Sequence, residues 1–271
     1  MNTTPSSPVL AERRQSTLVL TINAPANRNS LQAPGVLEGL IQGLDQLADD
    51  PDLSVAVITG AGGAFSSGGD LRLLSSSSQQ DMSRAMHRNA WLYRRIALGR
   101  KLVIAAVDGP AYGAGLGLAA ACDWVVAGES AVFCSVFTRV GAMPDAALFW
   151  SLPGRVGIAH ARRMMLTAAE IRGEQAVAMG LADEWNSQGP ALDTALAAAA
   201  RFARGPQQAF GHIKAGLRRA PMSLEQALDF QLDNAPGLFV GPEFQEGAAA
   251  FLEKRKPDFP AAVQHAGKRS C

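Results

Sequence analysis

Two glycine-rich segments have the composition of loops that hold a ligand against the peptide backbone. The first is Phe65–Asp70 (FSSGGD) and the second is Gly109–Gly115 (GPAYGAG), and each follows a predicted buried strand. Small side chains let a ligand approach the main chain, and glycine adopts positive φ without strain. The second segment leads into a helix, whose first N–H groups are unpaired and carry the positive end of the helix dipole. If the two loops face each other, they offer two N–H donors to one carbonyl oxygen, which is an oxyanion hole.

Tight turns and a dinucleotide site are the alternatives for these glycines. The glycine run that begins at Gly60 has Phe65 where the dinucleotide fingerprint needs its third glycine. The run that begins at Gly115 satisfies the relaxed pattern, but it starts inside a predicted helix, and no acidic residue ends a strand about 20 residues further on. A GxxxxGK[ST] phosphate loop is absent from the sequence. The sequence therefore disfavours nucleotide binding.

Composition excludes several classes of protein. The chain has 271 residues, of which 48% are hydrophobic and 18% are charged, and its formal net charge is +1. This balance disfavours a basic nucleic-acid-binding face, and no apolar run reaches the ~18 residues of a membrane span. The scattered cysteines and histidines predict neither a disulfide framework nor a metal site. The first residues lack the order of a secretory signal, so we expect a cytoplasmic protein without nucleic-acid or membrane partners.

The elements that must position the two loops alternate between strands and helices. Residues 16–23, 53–60 and 101–109 have the apolar, β-branched pattern of strands. Apolar residues recur at helical spacing in 33–49 and 82–98. Short strands and further helices follow, and the last part of the chain is predicted to be helical. The pattern is typical of an α/β core with a helical C-terminal extension.

Three parts of the chain are predicted from this pattern. Residues 1–15 are polar and contain proline, so we expect them to be disordered. Residues 16–205 form the core, and residues 206–271 form the helical region, with the boundary at Gly205–Pro206. The serine run at 75–78 is predicted to be a mobile loop.

Several segments, taken in order, resemble signatures of the crotonase (enoyl-CoA hydratase/isomerase) family. The resemblance extends from about Leu18 to Phe259. Each segment is short, but their order along the chain makes the resemblance specific. The segments are Asn27–Leu31 (NRNSL), Ala64–Leu71 (AFSSGGDL), Ala106–Gly115 (AVDGPAYGAG), Cys122–Asp123, Gly180–Glu184 (GLADE) and Phe251–Phe259 (FLEKRKPDF).

The resemblance implies a fold, a substrate class and a set of binding residues. It implies a ββα spiral core, assembly as a homotrimer or a dimer of trimers through the C-terminal helices, and an acyl-CoA substrate. No tightly bound cofactor is implied, because coenzyme A arrives as part of the thioester. The oxyanion-hole N–H groups fall at Gly69 and Ala114. The predicted contacts to substrate and coenzyme A are Arg28, Ser66, Ser67, Gly68, Gly113 and Phe137.

The resemblance also shows where this chain departs from the family's hydratases. Their two catalytic glutamates fall at Gly117 and Phe137, which are not acidic. Val140–Asp145 (VGAMPD) resembles the segment of family isomerases in which an aspartate is the acid/base. A single carboxylate is enough to carry a proton between C2 and C4 of an enoyl thioester. We therefore predict an enoyl-CoA isomerase that uses Asp145.

Other activities remain open from the sequence. An enoyl-CoA hydratase with unconventional acid/base residues is one alternative, and a non-catalytic acyl-CoA-binding member of the family is another. The dehalogenase branch of the family needs a histidine at a position that falls at Ala90, and His87 lies one helical turn away.

The surroundings of Asp145 should favour its neutral form. Burial against apolar side chains is predicted to raise the pKa of its carboxyl group, which suits a base near neutral pH. A helix N-cap is the structural alternative for Asp145. The predicted apolar wall consists of Phe133, Phe137, Ala142, Met143, Phe149 and Trp150.

Overall fold

A six-stranded sheet forms the centre of the computed structural model, which describes residues 7–269. The strands are β1 (Val9–Arg14), β2 (Thr17–Ile22), β3 (Val55–Gly60), β4 (Leu102–Val107), β5 (Pro110–Tyr112), β6 (Trp124–Ala127), β7 (Val132–Cys134), β8 (Glu170–Arg172) and β9 (Glu184–Trp185). The large sheet has the order β1-β2-β3-β4-β6-β9 and is parallel except where β1 pairs with β2. The small sheet has the order β5-β7-β8.

Helices cover both faces of the large sheet and make up the C-terminal part. They are α1 (Val36–Asp49), α2 (Leu71–Ser76), α3 (Gln79–Leu98), α4 (Ala114–Ala121), α5 (Leu148–Thr167), α6 (Gly173–Ala178), α7 (Ala191–Ala203), α8 (Gln207–Leu217), α9 (Leu224–Phe239), α10 (Pro242–Leu252) and α11 (Phe259–Arg269). No helix of residues 7–269 is long and apolar enough to cross a membrane.

The continuous apolar runs in the sequence arise because the central strands are buried on both faces. In β3, Ala56 and Ile58 point into a cluster with α1, α3, α4 and α5, whereas Val55 and Val57 point into a cluster with α7. Successive side chains of a strand alternate between the two faces of its sheet. One strand therefore contributes to two separate cores and has no polar face.

The prediction of a disordered N-terminus is wrong for the part of it that forms β1. Residues 9–14 pair with β2 from Val9–Ile22 to Arg14–Thr17. Only Val9 of this strand is buried, and the following five residues are exposed because β1 is the edge of the sheet. The polar sequence thus belongs to an edge strand. Residues 1–6 lie outside the described part of the chain.

The serine run is structured differently from the predicted loop. Asp70 Oδ1 accepts a hydrogen bond from the Arg72 N–H at 2.9 Å and caps α2. Helix α2 continues through Ser76, and Ser78 then caps α3 by accepting from the Asp81 N–H. Serine is favoured at such caps because its hydroxyl satisfies a free N–H group at the helix start.

A buried ion pair joins the C-terminal helices to the sheet. Lys214 of α8 is 5% exposed, and its ammonium lies 2.5 Å from Asp123 Oδ2 and 2.9 Å from the carbonyl oxygen of Lys101. Asp123 also accepts from the Val103 N–H of β4. Burial raises the pKa of the Asp123 carboxyl group and lowers the pKa of the Lys214 ammonium, because both charges have left water.

Replacing Lys214 by methionine should destabilise the whole fold. The change leaves the Asp123 charge buried without its partner, and we expect the free energy of unfolding to fall by about 3–5 kcal/mol. Urea denaturation measures the loss. Lys256→Met, at an exposed position, should leave stability unchanged. A loss of equal size in both variants would contradict this role of the pair.

Candidate active site

The two glycine-rich loops are joined directly by backbone hydrogen bonds. The Ser66 N–H donates to the Pro110 carbonyl oxygen, and the Tyr112 N–H donates to the Ser66 carbonyl oxygen, both at 2.9 Å. Ser66 and Ala111 thereby form a parallel bridge between the end of the large sheet and the small sheet. The loops that the sequence singled out therefore lie side by side.

Gly68 is one of the positions at which the two loops approach each other closely. Its φ is +83°, which favours glycine, and a Cβ there would lie 2.5 Å from the Tyr112 oxygen and 2.8 Å from the Ala114 nitrogen. No other residue fits this position without moving one loop.

The direction of the Gly69 N–H group is fixed by the carbonyl of the same peptide. The Gly68 carbonyl oxygen accepts from the Leu31 N–H and from the Ser30 hydroxyl, both at 2.9 Å. In a trans peptide the N–H points away from the C=O, so the Gly69 N–H is directed away from Leu31. Gln32 accepts the next N–H, that of Asp70, at 2.8 Å.

The Ala114 N–H is oriented by the start of α4. Gly113 precedes the helix with φ of +53°, and its carbonyl oxygen accepts from the Gly117 N–H at 3.1 Å. The Ala114 N–H therefore points out of the helix N-terminus. Within residues 7–269, neither this N–H nor that of Gly69 has a hydrogen-bond partner. Both donors are available to a ligand atom, and their role as an oxyanion hole stays a prediction.

Buried side chains that the sequence analysis did not single out hold the first loop in place. Asn29 is fully buried, and its amide donates to the carbonyl oxygens of Ala61 and Ala64 while accepting from the Ala24 N–H. Ser30 and Gln32 hold the Gly68–Asp70 segment as described above. Asn29 and Ser30 belong to the NRNSL motif, whose polar residues were the available sequence signal, and Gln32 directly follows that motif.

The predicted coenzyme A residues lie in two groups. Arg28 is exposed, and its carbonyl oxygen accepts from the Ser67 N–H at 2.9 Å, next to Ser66 and Gly68. The Ser66 hydroxyl donates to the Asn29 carbonyl oxygen at 2.7 Å. The other group is Gly113 and Phe137, whose ring lies 3.7 Å from where a Gly113 Cβ would be. Contact of either group with coenzyme A stays a prediction.

A cavity of about 490 Å³ lies between α3 and the start of α5, and both Ala114 and Asp145 line it. Gly69 is not part of its wall, and the Leu74 side chain packs 2.9 Å from where a Gly69 Cβ would be. The other lining residues are Met86, Asn89, Ala90, Tyr93, Arg94, Ala97, Leu98, Ala146, Ala147, Trp150 and Arg218.

The predicted apolar wall is wrong except for Trp150. Phe133 is fully buried in the core, whereas Met143 and Phe149 are 72% and 60% exposed, and none of the three lines the cavity. The wall comes mainly from α3, which packs on α4 beside the start of α5. Spacing along the chain could not show which helix would face the aspartate.

The Asp145 carboxylate has no cationic partner in the described part of the chain, and one of its oxygens lacks a hydrogen bond. It is half-buried, and its Oδ1 is buried without a hydrogen-bond partner in the described part of the chain. Burial raises the pKa of this carboxyl group above its ordinary value. The N-cap alternative is wrong, because Ala147 precedes α5 and no side chain caps it.

A strained turn holds Asp145 at the cavity. Ala146 and Ala147 have φ of +54° and +58°, which costs of order 1 kcal/mol or more for each non-glycine residue. Opposite them, a Cβ on Gly117 would lie 2.4 Å from the Ala146 oxygen. The turn therefore occupies the space into which a side chain at Gly117 would extend.

Tyr93 is the polar neighbour of Asp145 that sequence reasoning missed. It is 8% exposed and lines the cavity. Burial raises the pKa of its hydroxyl, and the nearby Asp145 charge raises it further. His87 is exposed, its ring Nδ1 donates to the Ser83 carbonyl oxygen, and it does not line the cavity, whereas Ala90 does. The described residues include no cluster of His, Cys, Asp or Glu side chains able to hold a metal ion.

Comparison with known proteins identifies the family that has this fold and these two loops. The family model for enoyl-CoA hydratase/isomerase matches residues 12–262. A 2,3-dehydroadipyl-CoA hydratase of Escherichia coli is 36% identical over 258 residues, covering 93% of this chain and 98% of the relative. A 1,2-epoxyphenylacetyl-CoA isomerase of the same organism is 32% identical over 257 residues, covering 93% of this chain and 97% of the relative.

Solved structures share the architecture. An enoyl-CoA hydratase from Polaromonas sp. JS666 superimposes with a TM-score of 0.87 at 32% identity, covering 92% of this chain and 98% of that chain. The predicted crotonase fold is confirmed. The chain belongs to the enoyl-CoA hydratase/isomerase family, a family of acyl-CoA enzymes.

Replacing Gly117 by alanine should push the Asp145 turn out of place. The new methyl group meets the Ala146 backbone, and we expect the free energy of unfolding to fall by about 1–3 kcal/mol. Thermal or urea denaturation measures this loss of stability. Gly154→Ala in α5, where a Cβ meets nothing within 4 Å, is the matched control and should be neutral or slightly stabilising. Equal stability of the two variants would refute the close contact.

Proposed function

We propose that this protein is an enoyl-CoA isomerase that moves a double bond with Asp145 as its single acid/base. The observation that carries the proposal is the unpaired, half-buried Asp145 carboxylate in a cavity that the free Ala114 N–H also lines. Both hydratase glutamate positions lack a carboxylate, so this aspartate is the remaining acidic group of the cavity wall.

The proposed reaction needs one proton carrier and one stabiliser of negative charge. The Asp145 carboxylate removes a proton from C2 of a 3-enoyl thioester, and the electron pair moves onto the thioester oxygen. The N–H groups of Gly69 and Ala114 are proposed to bind that oxygen while it is negative. Asp145 then returns the same proton to C4, the charge flows back, and the double bond lies between C2 and C3. No external proton donor is consumed.

Hydration of an enoyl-CoA is the second candidate. The name of the 2,3-dehydroadipyl-CoA hydratase relative favours it, whereas the name of the 1,2-epoxyphenylacetyl-CoA isomerase relative agrees with isomerisation. Activating a water and protonating carbon usually takes two acid/base groups. Gly117 and Phe137 supply none, so hydration ranks second.

Asp145→Asn should strongly slow isomerisation while leaving binding intact. The amide cannot take up the proton, and we expect kcat with a 3-enoyl-CoA to fall by about 10²–10⁴, the usual contribution of one acid/base group.

The pH dependence of the wild type is a second test of this role. Activity should fall as the pH drops through the raised pKa of Asp145, because the protonated carboxyl group cannot accept the substrate proton. The acid limb of the kcat/KM profile should therefore lie above the ordinary aspartate pKa of ~3.9.

The alternatives give different results in the same assay. Unchanged turnover in Asp145→Asn would refute the role of Asp145, and hydration alone in the wild type would select the second candidate. Binding of acetoacetyl-CoA without turnover of any enoyl-CoA would select a non-catalytic acyl-CoA-binding protein.

We also propose that the protein assembles as a homotrimer or a dimer of trimers. What supports this is a set of large apolar side chains that are exposed on the C-terminal helices of the single chain. A monomer seldom leaves so many apolar groups in water. They are Leu224, Leu228, Leu232, Phe239, Val240, Phe251 and Leu252.

Light scattering coupled to gel filtration tests the assembly. The chain has a mass of 28.4 kDa, so a trimer or hexamer elutes at a clear multiple of that value. Leu232→Glu, at a 71% exposed position, should shift the protein towards smaller species without unfolding it. A wild-type protein that is monomeric at micromolar concentration would contradict the proposal.

A further inference from the structure

Two arginines line the same cavity as Asp145, and neither has a carboxylate partner. They are Arg94 of α3 and Arg218, which follows α8. Within residues 7–269, no Asp or Glu oxygen lies within ion-pairing distance of either guanidinium. Charged groups beside an apolar cavity are normally paired, because removing them from water is costly. These two cations are available to an anionic ligand.

Arg218 is held in place with one donor nitrogen to spare. Its Nε donates to the Lys214 carbonyl oxygen at 3.0 Å, and its Nη2 donates to the Gly99 carbonyl oxygen at 3.3 Å. Its Nη1 has no partner among the described residues. Burial lowers the pKa of this guanidinium, while the charge of Asp123, already bonded to Lys214, opposes that shift.

Arg94 and Arg95 are consecutive in α3, and Arg94 has no ion-pair partner among the described residues. Its guanidinium carbon lies 5.2 Å from the centre of the Trp91 ring, and its side chain is exposed. The next residue, Arg95, is instead bound to Asp45 in an ion pair. Arg94 therefore lies at the rim of the cavity and Arg218 lies deeper.

Arg218 and the acid/base occupy different levels of the cavity, whereas Arg94 directly follows Tyr93 along α3. Tyr93 of α3 marks the level of Asp145, whose charge acts on its hydroxyl. Gly99, which binds Arg218, follows Tyr93 by six residues, a distance of about 9 Å along a helix at 1.5 Å per residue. The unpaired Oδ1 of Asp145 agrees with this separation, because neither arginine reaches it.

We propose that Arg218, with Arg94 at the rim, binds a carboxylate at the far end of the acyl chain. The substrate class is then the CoA thioesters of unsaturated dicarboxylic acids. A guanidinium suits this task because its planar donors match the two oxygens of a carboxylate. The inference rests on the proposed function only in placing the acyl chain in this cavity.

Binding of saturated thioesters tests the inference without relying on turnover. Isothermal titration calorimetry compares adipoyl-CoA with hexanoyl-CoA, which differ only in the distal carboxylate. The wild type should bind adipoyl-CoA about ten- to hundredfold more tightly, as expected for charge-assisted hydrogen bonds. Arg218→Met should remove that preference and leave the hexanoyl-CoA affinity unchanged, and Arg94→Met should reduce it. Arg88→Met, at an exposed position of α3 outside the cavity, is the matched control.

Each outcome separates the two proposals. If neither thioester binds the wild type, the proposed function itself fails. If both bind equally, only the dicarboxylate inference fails. Weaker binding of both thioesters in the arginine variants means that the arginines contact the phosphates of coenzyme A, which also overturns the inference. If Arg218→Met does not fold, the wild-type preference and the Arg94→Met variant still decide the result.

Discussion

The orientation of one peptide plane, between Gly68 and Gly69, is the constraint on which the candidate site depends. Two hydrogen bonds from the Leu31–Ser30 segment fix its carbonyl, and the Gly69 N–H must then face the opposite way. A buried asparagine, Asn29, in turn fixes the segment that provides those donors. Buried polar groups are costly unless they are bonded, so this network permits one arrangement and makes the alternatives expensive. The Gly69 N–H is thus left free because the polar groups around it already have their hydrogen-bond partners.

The position of Asp145 has a comparable origin on the other side of the cavity. Two successive alanines adopt left-handed backbone angles, and Gly117 provides the space for their turn. Strain of this kind persists only where the surrounding packing holds it. The turn that carries Asp145 therefore fills the space beside Gly117, and a side chain at position 117 is incompatible with this turn.

Much of the fold could be predicted from sequence, because buried parallel strands and amphipathic helices have clear periodicities. β3, β4 and α1 illustrate this, and the two loops were located by their glycines. The N-terminal strand could not be predicted, since an edge strand with only Val9 buried has a polar sequence. The cavity wall could not be predicted either. Most of its residues come from α3, which lies far from Asp145 along the chain and is brought near it by tertiary packing on α4. Tyr93 and Arg218 were missed for that reason.

The buried Lys214–Asp123 pair constrains the order in which the chain can mature during synthesis. Asp123 belongs to the middle of the sequence, and its cationic partner leaves the ribosome about 90 residues later. Until then Asp123 has the hydrogen bond from the Val103 N–H but lacks the cation that compensates its burial. We therefore expect the contact between the sheet and the C-terminal helices to form late in synthesis. The boundary predicted at Gly205–Pro206 is thus crossed by a buried ion pair.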